Sequence, residues 1–191
     1  HYNMRPKILI LGATGVLGIK LLKYLYALKI KTYTAVCFKN FKLLKILSNN
    51  YEIKNIYSMG NNTDYLLLQN NIRKNNYDII YCLDSNLTSF PLIIKSLNFQ
   101  TKCIYAIANK DLIIAGGNIL INKIIVSKNI IYPLDSEHFS LIDLFSINKN
   151  SISKIYITAS GGPFYFKKKD VNKVTKKEVL NHPKWRMGTD I

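Results

Sequence analysis

Gly12, Gly15 and Gly18 follow the apolar run Lys7–Leu11 at G-x-x-G-x-x-G spacing and precede the helically spaced Leu21, Leu22, Leu25 and Leu28. Residues without side chains permit a tight turn and let the N–H groups of a helix start approach a pyrophosphate. Between a first strand and its helix, the motif therefore points to dinucleotide binding rather than to a bare turn. The next strand ends at Cys37-Phe38-Lys39-Asn40, with no Asp or Glu to hold a ribose hydroxyl. A cation there suits the 2′-phosphate of NADP, although Lys39 is also one lysine among many. Asp135 and Glu137 stand at i and i+2 after the apolar run Ile130–Leu134, so in extended chain their carboxylates project to one side. Two hard oxygen donors could hold Mg²⁺ or Mn²⁺; the alternative is an acidic helix start with Asp135 or Ser136 as its cap. Ser160-Gly161-Gly162 offers a hydroxyl and backbone N–H groups suited to a phosphate, or a plain turn. Tyr165 and Lys169 match a Tyr-x-x-x-Lys spacing but lie in a lysine run after Gly-Gly-Pro, outside any amphipathic helix, and are set aside.

The elements that must position these residues alternate along the chain. Lys7–Leu11, Thr32–Phe38, Asp78–Leu83, Cys103–Ile107, Ile130–Leu134 and Lys154–Thr158 read as strands. Ile19–Leu28, Phe41–Leu47, Leu87–Leu97, Ile113–Lys128 and Glu137–Ile147 read as helices. Strands alternating with helices mean βαβ units: an α/β, Rossmann-like, doubly wound and mostly parallel sheet. In such sheets ligands bind beyond the carboxyl ends of the strands, where the glycine loop, Lys39 and Asp135 would all lie. The texture changes near Asn148–Ser153, so a first domain is expected over 1–150 and the start of a second, catalytic α/β domain over 151–191. Thr175 and Glu178 have capping-box spacing before a short helix stopped by Pro183.

Lys and Arg number 27 against 11 Asp and Glu, a net charge of +16 in 191 residues. Nucleic acid, anionic lipid and phosphorylated small molecules are all partners for such a surface. The lysines, however, alternate with Asn, Ile and Tyr, a pattern that compositional bias supplies without selection for nucleic acid. No helix-turn-helix, RNA-recognition or zinc signature is present, so a specific nucleic-acid partner is not expected. The three cysteines, Cys37, Cys82 and Cys103, are widely spaced in apolar runs and form no C-x-x-C pair, which disfavours zinc and disulfides and favours a reducing compartment. The longest apolar runs fall short of the roughly 18 residues a spanning helix needs.

Taken in order, several blocks resemble the 1-deoxy-D-xylulose 5-phosphate reductoisomerase family, NADPH enzymes of non-mevalonate isoprenoid biosynthesis. They are Ile10–Gly18 (ILGATGVLG), Ala108-Asn-Lys-Asp111, Pro133-Leu-Asp-Ser-Glu-His138, Ala159–Phe164 (ASGGPF) and His182-Pro-Lys-Trp-Arg-Met-Gly188. The resemblance implies that Thr14, Gly15, Val16 and Leu17 line the NADPH pyrophosphate and that Lys39 and Asn40 meet the adenosine phosphate. It implies Asn109, Asp111 and Gly188 as further cofactor contacts, and Lys110, Ser136, Glu137, Ser160 and His182 as residues holding a sugar phosphate. Asp135 and Glu137 become ligands of Mn²⁺ or Mg²⁺. The implied reaction is rearrangement and reduction of 1-deoxy-D-xylulose 5-phosphate to 2-C-methyl-D-erythritol 4-phosphate, in a homodimer. The implied location is a bacterial-type cytoplasm, or a plastid had a transit peptide been removed. The sequence departs from the family pattern at Asp111, where Glu is usual, at Phe38, where glycine precedes Lys-Asn, at Leu83–Leu87, which lacks small residues, and at Arg186. The family block that brings a third metal carboxylate is not found, so the 191 residues are expected to be a fragment, a truncated product or half of a split protein. The competing expectation is a nucleotide-binding remnant without catalysis.

Overall fold

The computed structural model describes residues 6–85, 87–146, 151–156, 158, 162–165 and 170–181. Strands and helices alternate from the start: β1 (Ile8–Leu11), α1 (Val16–Ala27), β2 (Thr32–Cys37), α2 (Phe41–Asn50), β3 (Asn55–Ser58) and α3 (Asn62–Lys74). They continue as β4 (Ile79–Cys82), α4 (Phe90–Ser96), β5 (Ile104–Ile107), α5 (Lys110–Val126), β6 (Ile130–Pro133), α6 (Ser136–Ser146) and α7 (Lys176–Leu180). The six strands form one sheet ordered β3-β2-β1-β4-β5-β6, and every neighbouring pair is parallel. The order reverses between β1 and β4, which opens a crevice beyond their carboxyl ends.

Both faces of the sheet are covered, because successive strand residues point to opposite sides. Ile8 and Ile10 of β1 pack with Leu22 and Leu25 of α1 and Leu44 and Leu47 of α2. Leu9 and Leu11 pack on the other face with Leu68 of α3, Leu92 of α4 and Leu112 and Leu120 of α5. Each such fully buried aliphatic side chain contributes roughly 1.5–3 kcal/mol relative to exposure, so the apolar runs become central strands. At the amino ends of the strands, Gln100 Oε1 accepts from Tyr77 N at 2.7 Å and Asn129 Oδ1 from Cys103 N at 2.8 Å, so these buried amides are satisfied. The doubly wound α/β sheet is the one expected.

The structure adds β3 and α3, which no sequence signal marked, and changes two further readings. The helix expected over Ile113–Lys128 begins earlier, at Lys110, and is broken at Gly117, whose φ of 46° and ψ of −138° are not helical. Adjacent Gly116 and Gly117 allow that break. The strand expected over Lys154–Thr158 is not formed at the described residues 154–156 and 158. Ile155 and Tyr156 are exposed there, and an apolar run becomes a strand only where another strand pairs with it. Compact units comprise His1–Phe139 and Ser140–Ile191. In the second, α7 starts with the capping box expected from its sequence: Thr175 Oγ1 accepts from Glu178 N, and Glu178 accepts from Thr175 N. The three cysteines are buried and unpaired; burial pushes the Cys103 thiol up to about 12 and that of Cys82 well above its ordinary range. Among the described residues no helix is long and apolar enough to cross a membrane.

Candidate active site

The glycine loop joins β1 to α1 beside the crevice. Gly12 N and Ala13 N donate to Val36 O of β2 at 3.1 and 2.9 Å, and Gly15 N donates to Gly12 O at 3.0 Å. Gly12 has φ +80°, and a Cβ there would lie 2.6 Å from Asp84 N and 2.8 Å from Leu83 C, so the loop presses against the end of β4. A Cβ on Gly18 would lie 2.4 Å from Gly12 O; this glycine brings α1 against the turn. Gly15 caps α1 without a side-chain hydrogen bond, and the first turn carries no acidic residue. The leading N–H groups of such a helix have no intrahelical acceptor, and its dipole is positive at that end, which together favour an anion. Thr14 is half-buried, while Val16 and Leu17 are exposed at the rim.

Beyond β2, Lys39 is exposed, with its ammonium 5.5 Å from the Phe38 ring centroid. Asn40 caps α2 by accepting from Leu43 N at 3.2 Å. Phe38, Lys39 and Phe41 line a cleft of about 360 Å³ with Ser58, Gly60 and Asp64, from the end of β3 and the start of α3. Its floor is fixed by Gly60 N at 2.9 Å and Ser58 Oγ at 2.8 Å, both donating to Phe38 O. A Cβ on Gly60 would strike that same oxygen at 2.5 Å. The cleft holds one acid, Asp64, whose Oδ2 is already occupied by Ser58 N at 3.0 Å. Ser58, Gly60 and Asp64 were not found from sequence, because they belong to the unmarked β3 and α3; the only cue was Gly60-Asn61 after an apolar run.

Across β5 and β6 the remaining described candidates meet. Asn109 is buried and caps α5, accepting from Asp111 N at 3.1 Å, with Asp111 in the exposed first turn. Lys110 Nζ lies 3.3 Å from Glu137 Oε2, both side chains about half exposed. Ser136 Oγ donates to that same oxygen at 3.1 Å. Hydrogen bonds from its own backbone N–H, from Ser136 and from Lys110 hold the Glu137 carboxyl below its ordinary range. Asp135, its side chain only 8% exposed, accepts from His138 N at 3.1 Å and from the His138 ring at 2.6 Å. The acidic helix start is therefore realised, with Asp135 capping α6 and Glu137 in its first turn; the extended-chain geometry expected to project both carboxylates to one side is not, because Ser136 and Glu137 are helical. His138 was quoted in the sequence block without a role; its i+3 spacing from Asp135 was the available signal.

The candidates lie in strand order along one rim: Lys39 and Asn40 after β2, Thr14 to Leu17 after β1, Asn109 to Asp111 after β5, and Asp135 to Glu137 after β6. At about 4.8 Å per strand, the glycine loop and Asp135 are separated by roughly 14 Å. Ser160, His182 and Gly188 lie outside the described residues. Asp84, next to the glycine loop, has both carboxylate oxygens shut from solvent, and burial pushes its acid above the ordinary range.

Residues 131–191 match the model of the 1-deoxy-D-xylulose 5-phosphate reductoisomerase C-terminal domain. The 1-deoxy-D-xylulose 5-phosphate reductoisomerase of Pelagibacter ubique is 35% identical over 97% of the chain and 53% of its own length. That of Clostridium tetani is 30% identical over 96% and 53%. The chain thus spans about half the length of the relatives it matches. A solved reductoisomerase from Zymomonas mobilis in complex with NADPH superposes with a TM-score of 0.70 at 19% identity, over 93% of this chain and 52% of that one. A reductoisomerase solved with NADPH, fosmidomycin and magnesium superposes with a TM-score of 0.72 at 21% identity, over 96% and 52%.

Proposed function

The chain belongs to the 1-deoxy-D-xylulose 5-phosphate reductoisomerase family, and from that premise we propose that it carries NADPH-dependent and metal-dependent conversion of 1-deoxy-D-xylulose 5-phosphate to 2-C-methyl-D-erythritol 4-phosphate. The observation that carries this reading is the single rim on which the Lys39 cleft, the glycine loop and the carboxylates Asp135 and Glu137 follow one another in strand order.

The chain's own residues have separate tasks. The α1 start would receive the pyrophosphate through the backbone N–H groups of Val16 and Leu17, with Thr14 beside them and Gly15, whose N–H is taken by Gly12 O, leaving room for close approach. Lys39 meets the adenosine 2′-phosphate in a cleft whose one acid is already hydrogen-bonded. Asn109 fixes the start of α5, from which Lys110 reaches Glu137, and Asn109 and Asp111 would be further cofactor contacts. The donor set near β6 fits a hard divalent cation: Asp135 and Glu137 supply carboxylate oxygens, and the hydrogen bonds at Glu137 keep it ionised. Among the described residues no group of three or more His, Cys, Asp or Glu is placed to hold a metal, so Asp135 and Glu137 are the two side chains that would hold the ion. When bound, Mn²⁺ or Mg²⁺ supplies Lewis-acid polarisation of substrate oxygens and NADPH supplies the hydride. Lys110 and Ser136 would donate hydrogen bonds to the sugar phosphate, the role that the family resemblance also gives Ser160 and His182, which lie outside the described residues.

The test is substrate-dependent NADPH oxidation with Mn²⁺, by the chain joined to the downstream half of a relative. Turnover that Glu137→Gln removes supports the reading; turnover indifferent to that change overturns the metal assignment. NADPH binding without turnover would favour a nucleotide-binding remnant, the reading to which the two-carboxylate donor set also lends weight.

A further inference from the structure

We propose that His138 is a positioning residue: its ring holds Asp135 in the orientation that ligates a divalent cation. The inference rests on the reading of Asp135 as a ligand and adds the group that aims it.

Asp135 makes two hydrogen bonds, both on Oδ2: one from His138 N at 3.1 Å and one with His138 Nδ1 at 2.6 Å. The first is the ordinary cap of α6, which any residue at 138 would supply. The second depends on the imidazole. A carboxylate oxygen accepts, so Nδ1 is the donor in this bond. With Oδ2 engaged twice, rotation of the carboxylate is restrained, and Oδ1, which accepts no hydrogen bond among the described residues, is the oxygen free to ligate. Asp135 is nearly buried whereas the His138 side chain is 57% exposed, so the ring is not itself part of a packed core. A fold-stabilising role is thus poorly served by this contact, while a carboxylate fixed before the ion arrives loses less freedom on binding it. Glu137 is held in its own way: Ser136 and Lys110 engage its Oε2 at 3.1 and 3.3 Å. Each of the two carboxylates therefore has its own holding group, and the one on Asp135 is His138.

Asn at position 138 places an amide nitrogen where the imidazole has Nδ1, at the same number of bonds from Cα, and so restores the donor; Ala removes it and keeps the backbone cap. The experiment is Mn²⁺ titration of the 191-residue chain followed by loss of the free-ion paramagnetic signal, in wild type, Asp135→Asn, His138→Ala and His138→Asn, with thermal unfolding of each without metal. The expected result is lost binding in Asp135→Asn, affinity weakened about 10-fold or more in His138→Ala, most of it recovered in His138→Asn, and an unchanged metal-free unfolding midpoint for His138→Ala. If His138→Ala binds as tightly as wild type while Asp135→Asn does not, the positioning role is overturned and the ligand reading stands. If His138→Asn is as weak as His138→Ala, the Nδ1 bond is not the cause and the proposal falls. If wild type and Asp135→Asn bind alike, the ligand reading fails and takes the proposal with it.

Discussion

Asp84 and Lys39 are single residues whose surroundings set opposite demands. Asp84 sits at the end of β4 against the glycine loop, and burial raises its acid above the ordinary range. Its unfolded value is about 3.9. Between that value and the higher folded one, the unfolded chain has released the proton that the folded chain still holds, so the unfolded state binds fewer protons and stability falls as pH rises. Asparagine cannot ionise. Asp84→Asn should therefore gain little or nothing in unfolding midpoint at acid pH and progressively more as pH rises through this window; a difference that shrinks with rising pH contradicts the burial argument. Lys39, exposed beside a cleft with one occupied acid, faces no such cost. A charge-assisted contact of about 1.5 kcal/mol to the 2′-phosphate makes Lys39→Ala about tenfold weaker for NADPH and unchanged for NADH. Equal losses for both nucleotides would place the lysine elsewhere on the ligand.

The β1–loop–α1 unit is where one atom decides the element. Gly12→Ala puts a Cβ at φ +80° within 2.8 Å of backbone atoms of the β4 end, and backbone cannot give way as a flexible side chain can. It should cost more than about 1 kcal/mol of stability and displace the helix start proposed to receive the pyrophosphate, so denaturant unfolding and nucleotide titration should both worsen. This unit was legible in sequence because glycine spacing and apolar runs encode turn geometry and burial directly. The acidic start of α6 at Asp135, Ser136 and Glu137 was legible for the same reason, as a capping pattern at a strand end, whereas the extended-chain projection of its carboxylates was misread. β3 and α3 were not. β3 is four residues with only one fully buried, and α3 carries Asn70 and Asn71 within its apolar spacing, so neither periodicity stands out; tertiary pairing with β2 makes the strand. The same dependence explains Lys154–Thr158, an apolar run unpaired at its described residues. The break at Gly117 depends on backbone freedom that periodicity does not reveal, and the Asp135–His138 bond on a rotamer that spacing permits without requiring.

At the scale of the whole molecule, the net charge of +16 draws polyanions without a recognition element, so nucleic-acid binding should be weak, indifferent to sequence and steeply reduced by added salt. A sequence-specific complex that survives physiological salt would contradict that. The doubly wound sheet concentrates the specific chemistry at one rim, and the central claim is that this rim is built for NADPH. The most direct test is a fluorescence titration of the folded 191-residue chain with NADPH and with NADH at one fixed salt concentration, alongside the shift in unfolding midpoint that each ligand produces. Saturable binding is expected, with NADPH clearly tighter than NADH and with the larger upward shift. Equal affinities, or no binding by a chain whose unfolding is cooperative, would contradict it.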